Sequence, residues 1–289
     1  MSISGQNLSV VIVTLKSKNV IDECIKSINK NIPIIVVENS DNPKFKDFIE
    51  NRYKNVKCIL SKENLGMGAG NNVGIKLTET DYVLILNPDV TLESNTLEEI
   101  FIASKNISNF SILSPISSDK DFPNYGMQNN RDRIIKTDEP FKVDYIDGYS
   151  MLINKKNFKN DVYFDENFFL YLENNDLCLR IKKSDQNIFI IKNSLIDHKG
   201  GSSTDINFSY EIEYLRNWHW MWSKFYYHKK HFGYFYGFFK IFRNLISAFL
   251  KSIIYSILGN NKKKTFYKAR LSGCVNGLLL KKSWYRPNI

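Results

Sequence analysis

Residues 8–15 read LSVVIVTL, a continuous apolar, β-branched run. A strand with one wet face alternates apolar and polar residues. A run without alternation is buried on both sides, as strands of a parallel sheet are. The pattern returns at residues 33–37 (PIIVV) and 82–86 (YVLIL), and residues 56–60 read as a further strand. Between these runs the spacing turns helical, with apolar residues at 20, 21, 24, 25 and 28 and a further helix over 43–53. Strands alternating with helices specify a doubly wound, mainly parallel α/β sheet. Ligands of such sheets bind outside the carboxyl ends of the strands, so residues that directly follow a strand are the first candidates for a site.

The chain has 289 residues, enough for one large α/β domain and an appendage. A hydrophobic fraction of 43% supports a packed core. Lys and Arg number 40 against 30 Asp and Glu, giving +10, which favours an anionic partner: nucleic acid, anionic lipid or a phosphorylated substrate. Cys24, Cys58, Cys178 and Cys274 are isolated from one another, so there is no CxxC metal or redox motif, and a reducing compartment is expected. The first residues, MSISGQNL, lack the charged and apolar regions of a secretory signal, and the location expected is cytoplasmic.

Four segments carry candidate chemistry. Asn64 to Gly74 reads NLGMGAGNNVG. A dinucleotide fingerprint would need glycine at 71, where Asn71 stands, and a P-loop would need Gly-Lys-Ser/Thr. The segment reads as a Gly-rich loop before a helix from about Asn71, either a tight turn or a backbone cradle for phosphate. Asn87-Pro88-Asp89 closes the strand at 82–86 and is either an ordinary turn or a site where Asp89 meets a hard cation and a diphosphate. Residues 164–180 read FDENFFLYLENNDLCLR. Glu173 and Asp176 share a helix face there, Asp176 can pair with Arg180, and a carboxylate against apolar walls gains basicity. The bland alternative is a solvated helix start. His198 follows the apolar strand at 188–191 and precedes Lys199-Gly200-Gly201, as a surface residue or as a metal or phosphate ligand. Residues 143–153 read as one more strand with a turn at Asp147-Gly148, and residues 119–140 as a polar loop over the site.

The pieces SVVIVTL, IIVVENSD, NLGMGAGNNVGI, LILNPDV, DGYSMLI, FDENFFLYLENNDLCLR and DHKGGSS, in this order, resemble family 2 glycosyltransferases of the GT-A fold, nearest to rhamnosyltransferase-like members. The resemblance covers about two-thirds of the chain and implies a GT-A (Rossmann-like) domain over residues 1–207. It implies an inverting, metal-dependent transfer of a sugar, rhamnose at the family level, from a dTDP- or UDP-sugar to a glycan or lipid-linked glycan in cell-surface polysaccharide synthesis, such as lipopolysaccharide or O-antigen. Thr14, Glu38, Asn64, Gly66, Asn71, Asn87 and Asp89 then fall on the donor, with Glu38 where the family usually has Asp. Asp89 would ligate Mg²⁺ or Mn²⁺, with His198 as its other protein ligand. Asp147 and Gly148 would line the acceptor side. Glu173 and Asn174 match the family's acidic pair. Asn174 cannot accept the proton, so Glu173 is the first candidate for the base and Asp176 the second. The same Asn174 keeps open an inactive, nucleotide-sugar-binding or scaffold protein.

Residues 208–289 are aromatic, basic and helical in pattern. Over 235–258, Lys240, Arg243, Asn244, Ser247 and Lys251 fall on one narrow stripe of a helix that is otherwise apolar. Charges near its middle are costly inside a bilayer, so an amphipathic helix in the interface fits better than a span. The alternative is a helix packed on the catalytic domain or in a homodimer. The partners expected are a nucleotide-diphosphate sugar, the acceptor and an anionic membrane surface on the inner face of the cell membrane. Nucleic acid is not expected, because the acidic cleft motifs count against it.

Overall fold

The computed structural model describes residues 7–127, 139–200 and 209–286. They form two compact units. Among the described residues the first takes in 7–127, 139–165 and 174–200, and the second 166–173 and 209–286. The stretch 166–173, placed in the first domain from sequence, thus groups with the second unit. The expected boundary at 207 lies outside the described residues.

The first unit runs β1 (Leu8–Thr14), α1 (Ile21–Lys26), β2 (Ile34–Glu38), α2 (Pro43–Arg52), β3 (Val56–Leu60), α3 (Gly66–Lys76), β4 (Tyr82–Leu86), β5 (Val90–Leu92), α4 (Thr96–Asn106), β6 (Ile112–Ser117), β7 (Tyr125–Gly126), β8 (Phe141–Lys142), β9 (Tyr145–Ile146), β10 (Ser150–Asn154), α5 (Glu173–Lys183) and β11 (Ile188–His198). The first residue of α5, Glu173, groups with the second unit. The main sheet has the order β3-β2-β1-β4-β10-β6-β11-β5, with β8 added beside β11. β3, β2, β1 and β4 are parallel, β10 runs against β4 and β6, and β5 runs against β11. Alternate residues of the central strands serve opposite faces. Val10, Ile12, Val36 and Leu84 enter one core, and Val11, Val13, Val37 and Val83 the other. Both faces are covered, which is why these strands lack alternation.

Three elements differ from the sequence expectation. The Gly-rich segment is helix rather than loop, since α3 begins at Gly66. A Cβ on Gly74 would come 2.3 Å from Val11 Cγ1, and one on Gly70 2.9 Å from Val13 Cγ1, so these glycines let the helix lie directly on β1. The strand expected over 143–153 is two pieces, β9 and β10, because the chain turns at Asp147-Gly148. The strand at 188–191 continues to His198, with a register shift between Ile191 and Leu195. Of the loop expected at 119–140, residues 128–138 lie outside the described residues. The part before them is pinned by fully buried Asn124, which donates to Pro115 O at 2.8 Å and accepts from Ser117 N at 3.0 Å.

The second unit holds α6 (Ser209–Phe232), α7 (Tyr234–Ile257) and α8 (Asn261–Leu278), all in mutual contact. Gly233, with φ +93°, separates α6 from α7. Trp218, Met221, Trp222 and Phe225 of α6 are buried against Ile241, Ala269 and Cys274. A Cβ on Gly273 would meet Trp218 O at 2.2 Å, so α8 approaches the α6 backbone closely there. The segment 166–173 docks through Leu170 O, which accepts from Ser223 Oγ at 2.8 Å, and through Phe168, edge-on to Tyr226 at 4.9 Å.

Candidate active site

Strand pairing brings the candidates of the first unit together. β4 ends at Leu86, and Asn87-Pro88-Asp89 turns the chain into β5. β5 pairs antiparallel with the end of β11, with His198 opposite Val90. Asp89, one residue before Val90, therefore faces His198, and Asp89 Oδ1 lies 3.6 Å from His198 Nε2. The Asp89 side chain is 2% exposed, and its Oδ1 has no hydrogen-bond partner. The backbone is fixed from both sides: Lys199 N donates to Asp89 O at 3.2 Å, and Val90 N to Asn87 O at 3.2 Å.

β10 supplies the third wall. Ser150 pairs with Leu86, which sets Tyr149 beside Asn87, and Asn87 N donates to Tyr149 O at 2.9 Å. The Tyr149 ring stacks on His198 with centroids 4.0 Å apart. Reading the sequence misses this stacking contact, although an aromatic directly after the Asp147-Gly148 turn is a usable signal. Burial pushes the Tyr149 hydroxyl up to about 12, so the ring stays neutral. Asp147 is solvent-accessible along its side chain, yet the surrounding protein desolvates its carboxyl enough to raise the pKa, with His198 pulling the other way. Asn174 donates to Ile146 O at 2.8 Å, and a Cβ on Gly148 would touch Asn174 Cβ at 3.4 Å. Asn174 thus holds the Asp147-Gly148 turn in place.

Oδ1 of Asn87 and Oγ of Ser150 are also shielded and unpartnered. Buried polar atoms are nearly always hydrogen-bonded, so three such atoms around the carboxyl end of β4 mark a place built for a polar ligand. Asp89 and His198 offer a hard carboxylate oxygen and an imidazole nitrogen. That donor pair suits Mg²⁺ or Mn²⁺ whose remaining ligands come from a diphosphate.

At the far side of β1, Thr14 and Glu38 are register partners at the carboxyl ends of β1 and β2. Both are buried. Thr14 Oγ1 donates to Glu38 Oε2, and Ser40 N donates to Glu38 Oε1 at 2.8 Å. Asn39 ties this corner to α3 by donating to Gly66 O at 3.2 Å. Asn64 Oδ1 accepts from Gly66 N at 3.0 Å and so sets the entry to α3. Asn71 is buried with Oδ1 unpartnered, whereas its neighbour Asn72 clamps Phe164 through both amide atoms at 2.9 and 3.0 Å.

The two candidate bases behave differently. Asp176 is fully buried, and its Oδ2 accepts from Arg180 Nε at 2.9 Å. Glu173, one residue before Asn174, has a shielded and unpartnered Oε2. Burial raises its carboxyl pKa to about 7, against a smaller opposing effect of its own backbone N–H.

A mostly parallel sheet with an antiparallel strand inserted beside β4 is the GT-A glycosyltransferase architecture. The solved structures most like it include the mannosyltransferase PcManGT from Pyrobaculum calidifontis in complex with GDP-Man and Mn²⁺. It is 10% identical, with TM-score 0.57 over 97% of this chain and 90% of that one. GalNAc-T7 with UDP, GalNAc and Mn²⁺ matches with TM-score 0.55 and 14% identity over 84% and 57%. The profile of glycosyl transferase family 2 matches residues 9–170, more than half of the chain, and the chain belongs to that family. Among curated relatives, the low-salt glycan biosynthesis hexosyltransferase Agl10 of Haloferax volcanii is 26% identical over 63% of this chain and 64% of its own length. Rhamnosyltransferase WbbL of Escherichia coli K12 is 25% identical over 60% and 75%. The chain thus matches slightly under two-thirds of Agl10.

Proposed function

We propose that the chain is an inverting, metal-dependent glycosyltransferase that moves a hexose from a nucleotide diphosphate to a lipid-linked glycan at the inner face of the cell membrane. The observation that carries this is the Asp89–His198 pair at the strand ends, with Asp89 Oδ1 buried and unpartnered. Asp89 and His198 would hold Mg²⁺ or Mn²⁺. When bound, the cation neutralises charge on the departing diphosphate. Asn87 and the α3 corner around Asn64, Gly66 and Asn71 would take the donor, with Thr14 and Glu38 shaping its nucleotide end. Asp147 and Gly148 would face the acceptor.

Glu173 is the proposed base, because its carboxyl is shielded, unpartnered and of raised pKa, while Asp176 is held by Arg180. Glu173 takes the acceptor hydroxyl proton as that oxygen bonds to the anomeric carbon. The carbon–oxygen bond to the diphosphate breaks, and its electron pair leaves with the phosphate oxygen. A single displacement inverts the anomeric centre. Rhamnose with a dTDP or UDP carrier is the donor we favour, in keeping with the resemblance to WbbL.

A second reading, a sugar-nucleotide binder without turnover, is favoured by Asn174, whose amide is committed to Ile146 O. Incubation with a panel of dTDP-, UDP- and GDP-sugars, Mg²⁺ or Mn²⁺ and a lipid-linked acceptor separates the two. Transfer to the acceptor is expected, and donor binding without any transfer would favour the binder.

A further inference from the structure

Helix α7 has two apolar faces, and its own unit covers one of them. Gly237, Ile241, Ala248 and Ser252 are buried, and Ile241 packs with Met221 and Phe225 of α6 and Cys274 of α8. The opposite face carries Phe235, Phe239, Phe242, Ile246, Phe249 and Ile253, at alternating steps of four and three residues. All six are exposed, Phe235 to 76% and Phe239 to 71%. Single exposed apolar residues are ordinary, but an unbroken stripe along a 24-residue helix, about 36 Å at 1.5 Å per residue, marks a binding surface.

The charge around the stripe selects its partner. Lys240, Arg243 and Lys251 border one edge and are exposed, and Lys262 and Lys263 open α8 beyond the end of α7. From Tyr214 to Ile289 the sequence contains no Asp or Glu. A twofold contact between two copies of this face would set Lys and Arg against Lys and Arg, with no carboxylate to pair them. An anionic bilayer meets both needs, with hydrocarbon for the stripe and phosphates for the basic edge. Among the described residues no helix is long and apolar enough to cross a membrane. The charged edge also runs along the length of α7 rather than at its ends, which is the pattern of a helix lying in the interface.

We propose that α7 lies in the plane of an anionic membrane, its Phe235-to-Ile253 stripe in the acyl region and Lys240, Arg243 and Lys251 at the phosphates. The sequence pattern alone favours the interface over a span and leaves a helix packed on protein as the alternative. The structure separates a packed face from a lipid face and names the residues of each. The use of such a surface rests on the proposed lipid-linked acceptor. Vesicle binding itself needs no sugar transfer, so a protein that binds vesicles but transfers nothing contradicts only the transferase reading.

The test is flotation of the full chain with phosphatidylcholine vesicles, with and without phosphatidylglycerol. The unaltered protein should float with the anionic vesicles and lose much of that binding at high salt. Replacing Phe239, Ile246 and Phe249 together by Ser should weaken vesicle binding about tenfold or more, since the buried apolar area sets the affinity. Reversing Lys240, Arg243 and Lys251 to Glu should weaken binding by about tenfold and remove the preference for anionic lipid. These side chains are exposed, so thermal melts should match the parent. Should a variant misfold, amide exchange on the unaltered chain gives the answer, with vesicles slowing exchange in α7. No flotation, a Ser variant that floats like the parent, unchanged exchange in α7, or a parent dimer that the Ser variant turns into monomer would each overturn the proposal.

Discussion

Asp89 and His198 are 109 positions apart in the chain, yet Asp89 Oδ1 lies 3.6 Å from His198 Nε2 because β11 pairs with β5 in the register that puts His198 opposite Val90. The contact depends on backbone pairing, not on a flexible side chain reaching across a surface. Tyr149 stacked on the imidazole at 4.0 Å, and Asn87 N bonded to Tyr149 O, hold the same corner from the β10 side.

Glu173→Gln should reduce transfer by about a hundredfold or more, the typical contribution of a positioned base, while leaving donor affinity within about twofold. The pH profile carries the sign. With the carboxyl pKa raised to about 7, kcat/KM should fall about tenfold per pH unit below 7 and level off above it. A profile flat from pH 5 to 8 would move the base elsewhere.

The same residue should tie activity to stability. The folded state holds the Glu173 proton up to a pH of about 7, whereas the unfolded chain releases it near the ordinary carboxylate value, 4.5. Between these values the folded state binds more protons, so the contribution of this group to stability is present at low pH and is lost as pH rises through 7. Glu173→Gln should therefore melt higher than the parent at pH 8, being more stable by about 3 kcal/mol, and nearly equal to it at pH 4.5. Thermal melts at the two pH values check this.

Asp176→Ala should fail differently. It leaves the partly exposed Arg180, which still donates to Val162 O and Tyr163 O, without the carboxylate that Nε meets at 2.9 Å, and losing a charged hydrogen bond of this kind costs about 1.5–3 kcal/mol. Denaturant unfolding should show that loss, while the protein that remains folded keeps the pH profile of the parent. Loss of turnover without loss of stability would return Asp176 to the role of base.

Gly74→Ala tests the contact between α3 and β1. Its new methyl would come 2.3 Å from Val11 Cγ1, and overpacking of this kind costs about 1–3 kcal/mol. Pairing it with Val11→Ala should recover part of the loss, because the clashing methyl is then gone. Chemical denaturation of the two single variants and the double variant measures the coupling.

Much of the fold, and the strand ends where the candidate site lies, is legible in the amino-acid sequence alone. Residues 8–14 and 82–86 show themselves as doubly covered strands because nearly every position is apolar or small, and a strand that ends at Leu86 marks Asn87-Pro88-Asp89 without further help. The glycines mislead for a physical reason. Gly66, Gly68, Gly70 and Gly74 have the composition of a loop, but Gly70 and Gly74 serve to bring α3 against Val13 and Val11, a tertiary distance. The extension of β11 from Ile191 to His198 passes through an irregular register, which hides strand periodicity. The Asn72–Phe164 clamp joins residues 92 positions apart through an amide that looks like one more polar residue in a Gly-rich run. Helix α7 is visible as amphipathic, but its two apolar faces become distinct only through α6 and α8, which cover one of them.

The central claim is that Asp89, supported by His198, holds the cation and through it the donor diphosphate. Calorimetric titration of dTDP- and UDP-sugars, with Mn²⁺ and with EDTA, measures this without turnover. The account predicts metal-dependent binding by the unaltered chain, loss of the metal-dependent part in Asp89→Ala, and a weakening of about tenfold or more in His198→Ala, since losing even an outer partner of a metal ligand costs that much. An Asp89→Ala protein that folds and binds the donor with the same affinity and the same metal dependence as the parent would contradict it.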